Sequence, residues 1–279
     1  ENAAQMKTDG LAAIFTAVES EPARELEPRY ALDVPVFSTA SAFRYEEDVP
    51  ILLPAVNGDH WTMVDAQRKG RGWKGYIIPV PNCTTTGMVH TLKPLADAFG
   101  LEAVMMTSMQ AVSGAGRSPG VLALDITDNV IPYISKEEEK VEKEAKKILG
   151  LPDLKVSCTC TRVPVIEGHT EAVFASLGKP AGVEDVKKAF RGFGAHMREL
   201  ALPSAPAAWI TVHDDPYRPQ PRRDRDADGG MTTSVGRVRD DGVLKNGVKW
   251  VLVSHNTKMG AAKGAILAAE LMKVKGRLG

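Results

Sequence analysis

The sequence carries no surplus charge, no long apolar run, few cysteines and no glycine-rich turn near its start. Thirty-five basic residues balance 35 acidic ones, which argues against a nucleic-acid surface or attraction to an anionic membrane and leaves a small molecule as the expected partner. No apolar stretch approaches the roughly 20 residues that span a bilayer, and no basic-then-apolar leader is present, so a cytoplasmic location is expected. Three cysteines are an odd count, and Cys158-Thr159-Cys160 alternates along a strand so that both thiols share a face. That spacing fits neither a CxxC redox motif nor a zinc knuckle; two buried strand cysteines and no metal site are expected. No GxGxxG turn lies at the front, where a dinucleotide fingerprint belongs. Either the ligand is no dinucleotide or the first unit has been cut away, and the missing initiator methionine agrees with the second reading.

What is present is an ordinary globular composition, 43% hydrophobic and 25% charged over 279 residues, long enough for two domains. The most informative stretch is Pro81-Asn82-Cys83-Thr84-Thr85-Thr86-Gly87. It closes the apolar run from Gly75 to Val80 and opens a helix whose stripe is Met88, Leu92, Leu95 and Phe99, ending at Gly100. Asn82 is suited to the N-cap, which places Cys83 in the first turn. Unpaired amides and the positive end of the helix dipole there favour a thiolate, hence a nucleophile. A small buried thiol at a turn is the alternative.

Gly10 to Ala17 reads as a buried strand, Glu21 to Tyr30 as an amphipathic helix and Val34 to Phe37 as a second strand, together a βαβ unit of a parallel sheet. The loop from Ser38 to Tyr45 bears Arg44, an anion ligand at a strand's carboxyl end, or else a solvated arginine or a partner of Glu46, Glu47 or Asp48. Ile51 to Val56 reads as another strand. Beyond the Cys83 helix come a strand from Ala103 to Ser113 carrying Gln110, and a Gly-rich loop, Gly114 to Gly120, that need only turn the chain. Ser135 is expected to cap a helix to Leu149 with the stripe Val141, Ala145 and Ile148. Its other face, with Glu137, Glu138, Lys140, Glu144 and Lys147, reads as solvated and laced by ion pairs.

Lys155 to Ile166 reads as a strand carrying Arg162, which, buried, must face a carboxylate of the protein or of a ligand. His169 follows it. Thr170 to Leu177 is a strand, Val183 to Phe193 a helix, and Asp214 to Gly230 a loop or arm whose charges are either solvated or paired with a neighbouring subunit. The chain closes with a strand from Lys249 to Ser254, a turn to Gly260 and a small-residue helix from Ala261 to Lys273.

Taken together, Pro-Asn-Cys83-Thr-Thr, Gln110 before Ala-Val-Ser-Gly-Ala-Gly116, Arg162-Val-Pro-Val with Gly168-His169, Arg218-Pro-Gln-Pro-Arg222 and His255-Asn-Thr-Lys-Met-Gly260 resemble the aspartate-semialdehyde dehydrogenase family, in its archaeal and fungal branch. Asn-Cys-Thr-Thr also occurs in glyceraldehyde-3-phosphate dehydrogenases, where the partner histidine follows sooner. Family members open with a βαβ unit carrying a Gly-rich turn, whereas this chain enters the fold at Leu11 to Thr16. An NADP site lacking its adenine and pyrophosphate parts, feeble cofactor binding and negligible turnover are therefore expected of the chain as given.

The resemblance implies an α/β fold, an incomplete Rossmann-type parallel-sheet domain (residues 1–82 and 253–279) and an α+β catalytic and dimerisation domain (83–252), assembled as a homodimer or homotetramer. It implies NADPH-dependent reductive dephosphorylation of β-aspartyl phosphate to aspartate semialdehyde through a cysteine thioester. Cys83 would be the nucleophile, His169 the acid and base titrating near neutrality, and Gln110 the orienting group. Arg162 would grip the substrate carboxylate, Glu137 its ammonium, and Arg44, Lys140 and Asn82 the phosphate. Ser113, Gly114, Ala115, Gly116, Asn256 and Thr257 would lie beside the nicotinamide. A malonyl-CoA-type reductase of the same fold, or a catalytically incompetent form, are the alternatives.

Overall fold

The structure, a computed structural model, describes residues 2–116 and 123–278. Strand β1 (Ile14–Thr16), helix α1 (Ser20–Ala31) and β2 (Val36–Ser38) form the expected βαβ unit, and β3 (Ile77–Pro79) completes a parallel sheet in the order β1-β2-β3. Between β2 and β3 run a short helix α2 (Pro54–Asn57) and α3 (Met63–Arg71). The first strand is shorter than its apolar run suggests, and Phe15 on it is 52% exposed. Ile51 to Val56 is not a strand. Pro54 starts α2, and the Asn57 side chain accepts from Leu53 N–H and donates to the Ile51 carbonyl, doing what a neighbouring strand would otherwise do. The run is apolar because it is buried on every side.

Helix α4 (Cys83–Phe99) leaves β3 and leads into β4 (Leu101–Gln110). The short α5 (Ala123–Ile126), α6 (Glu137–Leu149), β5 (Lys155–Arg162), β6 (His169–Leu177) and α7 (Val183–Gly192) follow. Next come β7 (Ile210–Val212), α8 (Pro221–Asp224), β8 (Thr233–Asp241) and β9 (Gly247–Ser254). A π-helical turn, Lys258–Ala262, then runs into α9 (Lys263–Val274). The second sheet has the order β5-β4-β6-β9-β8-β7, with β4/β5 and β7/β8 parallel and the other pairs antiparallel. Alternation along β4 turns Val104, Met106, Ser108 and Gln110 inward, where α4, α6 and α7 cover one face through Met88, Leu92, Val141, Ile148, Val186 and Phe190. Met105 and Thr107 point from the opposite, open face. Helix α9 returns to the first sheet, packing Leu271 and Met272 with Phe37 and Tyr76. Among the described residues no helix is long and apolar enough to cross a membrane.

The charged face of α6 departs from the solvated reading. Ser135 does not cap the helix; Lys136 occupies the N-cap in a left-handed conformation. Glu144 is fully buried, Glu137 nearly so, and Lys147 donates to the carbonyls of Arg44, Glu46 and Val49. Glu138 and Glu142 accept the N–H groups of Cys160 and Cys158, satisfying donors along edge strand β5. The segment from Asp214 to Gly230 is likewise tied within the chain. Arg218 pairs with the buried Asp224, and Lys258 with Asp226.

Candidate active site

The site is assembled where α4 begins. Asn82 Oδ1 accepts the N–H groups of Thr84 and Thr85 at 2.8 and 3.2 Å, the expected cap. Cys83 is therefore the first helical residue, and its Sγ lies 3.2 Å from His169 Nε2. His169 opens β6 and is fully buried; its Nδ1 accepts from Ala111 N–H at 3.1 Å. A π-helical turn brings Gly260 against the cysteine so closely that a Cβ there would stand 2.8 Å from Cys83 Cβ.

Helix α6 supplies two carboxylates to the same junction. Glu137 Oε1 accepts from Asn82 Nδ2 (2.9 Å), Thr84 Oγ1 (3.2 Å) and Gln110 Nε2 (3.2 Å), while its Oε2 faces Lys140 Nζ at 3.8 Å. Glu144 accepts from Asn82 N–H at 2.6 Å and pairs with Arg44 Nη1 at 2.9 Å. Arg44 thus has a protein partner, though not Glu46, Glu47 or Asp48. Glu144 was missed among candidate residues, yet it lies on the apolar stripe, seven residues after Glu137 and one before Ala145. A carboxylate in register with a buried stripe was the available signal.

Arg162 has different surroundings. It is 5% exposed, its Nη1 donates to the Ala111 carbonyl at 2.7 Å, and among the described residues its Nε has no partner. Among the described residues it forms no ion pair with a carboxylate, and it lines the same cavity as Cys83. That cavity, about 690 Å³, also receives Asn82, Arg44, Glu137 and Lys140 on one side. On the other it receives Ser113, Gly114, Ala115, Gly116, Asn256 and Thr257. Gln110 and His169 are not in its lining but touch residues that are, Glu137 and Cys83 respectively. Asn256 Nδ2 ties this wall together by donating to Ser113 Oγ at 2.8 Å. The rest of the Gly-rich loop, 117–120, lies outside the described residues. A larger hollow of about 940 Å³, flanked by Trp61, Phe99 and Phe193, contains none of these groups.

Electrostatics qualify the thiolate expected from the helix terminus. Burial, then the Glu137 carboxylate, push the Cys83 thiol up to about 12, against the opposing pull of Arg44, Arg162 and the Thr84 N–H. Burial, then Arg162 and His255, lower His169 to about 3, so it does not titrate near neutrality. Glu171, two residues along β6, is fully buried, and among the described residues neither carboxyl oxygen is paired; burial and then Glu137 raise it well above the ordinary carboxylate range. Cys158 and Cys160 are buried strand thiols, as expected.

The profile described as "Semialdehyde dehydrogenase, NAD binding domain" matches residues 1–64, and "Semialdehyde dehydrogenase, dimerisation domain" matches 92–259. The chain is 49% identical over 268 residues to aspartate-semialdehyde dehydrogenase of Archaeoglobus fulgidus, covering 93% of this chain and 76% of that one. It is 44% identical over 285 residues to the Candida albicans protein of the same name, covering 94% and 77%. A crystal structure of the Candida albicans enzyme with NADP superposes with a TM-score of 0.85 at 41% identity, over 97% of this chain and 81% of that one. Aspartate semialdehyde dehydrogenase II from Vibrio cholerae, complexed with ASA, gives 0.83 at 28% identity, over 98% and 82%.

Proposed function

The chain belongs to the aspartate-semialdehyde dehydrogenase family, and from that premise we propose that Cys83 attacks the β-carbonyl of aspartyl phosphate, expels phosphate and carries the aspartyl group as a thioester. The enzyme is an NADP-dependent, phosphorylating aldehyde dehydrogenase; NADPH, when bound, supplies the hydride that converts the thioester to aldehyde. The observation that carries the substrate reading is Arg162, a buried guanidinium without a described carboxylate partner, opening into the cavity of Cys83. A substrate α-carboxylate supplies the missing charge as a two-point acceptor. Glu137 takes the ammonium, Gln110 orients the acyl group through its contact with Glu137, and His169 addresses the sulfur and the acyl oxygen beside it. Lys140 and Arg44 form the phosphate side, with Asn82 holding the loop.

For the cofactor, Ser113, Gly114, Ala115, Gly116, Asn256 and Thr257 make a wall of small and amide-bearing residues suited to the nicotinamide end. A Cβ at Gly114 would come within 3.1 Å of His169 Cε1, a tight contact that glycine avoids. The malonyl-CoA alternative is not favoured, since the relatives are named for aspartate semialdehyde. The match over 92–259, which spans the second sheet, supports reading it as a dimerisation unit. We place the division at 1–82 with 253–279 and at 83–252, the assembly as homodimer or homotetramer, and the enzyme in the cytoplasm, where three free thiols persist.

The test is phosphate-dependent oxidation of aspartate semialdehyde with NADP, in protein carrying a complete nucleotide-binding unit, compared with Arg162→Lys in the same protein. Lysine keeps the charge and loses the fork, a difference of about 1.5 to 3 kcal/mol, so kcat/KM should fall roughly ten- to a hundredfold. Unchanged kcat/KM, or better turnover of an acyl-CoA, would overturn the assignment.

A further inference from the structure

One peptide of the loop after β2 holds Arg44 on one side and a buried carboxyl on the other. The Thr39 carbonyl accepts from Arg44 Nη2 at 2.9 Å, and the N–H of the same peptide, that of Ala40, donates to Ser38 Oγ at 3.0 Å. Because the peptide is planar, turning it breaks both bonds at once. The Ser38 hydroxyl has one proton, which goes to Glu27 Oε1 at 2.5 Å and leaves a lone pair for the Ala40 N–H. Glu27 lies on α1 and is fully buried. The same oxygen accepts from Thr16 Oγ1 at 2.6 Å, so it joins the last residues of β1 and β2, which are paired in the sheet. We propose that Glu27 is a positioning residue for phosphate binding, which acts through Ser38 and the Thr39–Ala40 peptide to set where the Arg44 guanidinium stands.

The inference rests on the reading of Arg44 and Lys140 as the phosphate side. Thr39, Ala40, Ser41 and Arg44 line the cavity of Cys83, whereas Glu27 does not. The Arg44 guanidinium has two anchors: Glu144 on α6 holds Nη1 at 2.9 Å, and the Thr39 carbonyl holds Nη2. Glu27 governs the second. Without its acceptor oxygen the Ser38 hydroxyl is free to turn and offer its proton elsewhere, and the peptide loses that hold. Helix α1 meets the loop again where Ser20 Oγ and Ser41 Oγ stand 2.8 Å apart.

The hydrogen bonds fit a carboxylate. Burial pushes the Glu27 carboxyl up, opposed by the Ser38 and Thr16 hydroxyls and by Arg44. A carboxylic acid would carry its proton on Oε2, which is buried and without a partner among the described residues. A tie that served stability alone would weaken the binding of every ligand together, whereas a residue that sets Arg44 acts on phosphate and spares the Arg162 side.

The test is protection of Cys83 from iodoacetamide by inorganic phosphate and, separately, by aspartate semialdehyde, in the chain itself and without cofactor. The semialdehyde has no phosphate and is held through Arg162 and Glu137. In Glu27→Ala the phosphate concentration giving half protection should rise about tenfold, the scale of one charge-assisted hydrogen bond, while that for the semialdehyde moves less than about twofold. Glu27→Gln keeps an oxygen for both hydroxyls and should stay within about threefold of the wild type for phosphate. Ser38→Ala cuts the relay, leaves the Thr16 tie, and should reproduce the Glu27→Ala pattern; it decides the matter should Glu27→Ala not fold. Both concentrations rising together in these variants, or a phosphate value that neither variant moves, would overturn the proposal. A wild type that phosphate does not protect, or an Arg44→Ala variant that phosphate protects as well as the wild type, would remove the phosphate side itself and the proposal with it. Neither of those results involves a Glu27 variant, so the two failures are distinguishable.

Discussion

A raised thiol at a helix N-terminus sets two effects against each other: the dipole and two arginines favour thiolate, while burial and the Glu137 carboxylate oppose it more strongly. Replacing Glu137 with Gln removes the like charge, so the thiol pKa falls and more thiolate is present at any pH below it. Cys83 alkylation in Glu137→Gln should therefore be faster at pH 7, while turnover of aspartate semialdehyde slows for want of the ammonium partner; a parallel fall in both would refute this role. Glu171 gives a stability signature of its own. Its folded pKa lies above the unfolded value of 4.5, so its contribution is present below pH 4.5 and is lost as pH rises through the folded pKa. Glu171→Gln, neutral at every pH, should match the wild type in Tm near pH 4 and exceed it near pH 8. A Tm difference that does not vary with pH would show that Glu171 is charged in the folded protein.

At the scale of the element, α6 acts as a clamp on the first turn of α4. Glu144 holds the Asn82 N–H and Arg44, and Glu137 holds the Asn82 and Thr84 side chains. Breaking a buried ion pair strands a charge, so Glu144→Gln should cost about 3 kcal/mol, read as a Tm drop of roughly 5 to 10 °C by calorimetry. A change within experimental scatter would mean that α6 does not brace the site. The helices themselves were legible in the sequence. The spacing of Met88, Leu92 and Leu95 marked α4, Asn82 its cap, and Val141, Ala145 and Ile148 the stripe of α6. Glu144 was legible only through its register with Val141 and Ile148; a carboxylate among lysines on a helix otherwise reads as solvated until the fold brings a distant arginine beside it. Ile51 to Val56 misled for a related reason: a buried apolar run resembles a strand, and only the Asn57 side chain reveals where its hydrogen bonds go. Strands β7 and β8 escaped notice, β7 because three residues carry too little pattern. Cys83, Glu137 and Arg162, singled out in the sequence, line one cavity, though the electrostatics that raise Cys83 and lower His169 depend on burial that no spacing records.

For the whole molecule, the second sheet lies within the stretch that matches the dimerisation domain, and its open face is the surface we propose for a partner. Met105 lies opposite Phe174 in the β4/β6 register, and Phe174 opposite Lys249 across β6/β9. Met105 is 41% exposed, and a lysine there places a charge where an apolar contact is expected. Met105→Lys should shift the sedimentation profile towards monomer at micromolar concentration, and an unchanged profile would move the interface elsewhere. Strands β4 and β6 carry Gln110 and His169 on their inner faces and leave their outer faces partly exposed. The most direct measurement at the core of this picture needs no cofactor. Mixing the protein with β-aspartyl phosphate alone should release about one equivalent of phosphate per site in a burst and leave an aspartyl mass on the peptide containing Cys83, both absent from Cys83→Ser. No burst, or an aspartyl mass on Cys158 or Cys160, would contradict the role of Cys83 as acyl carrier.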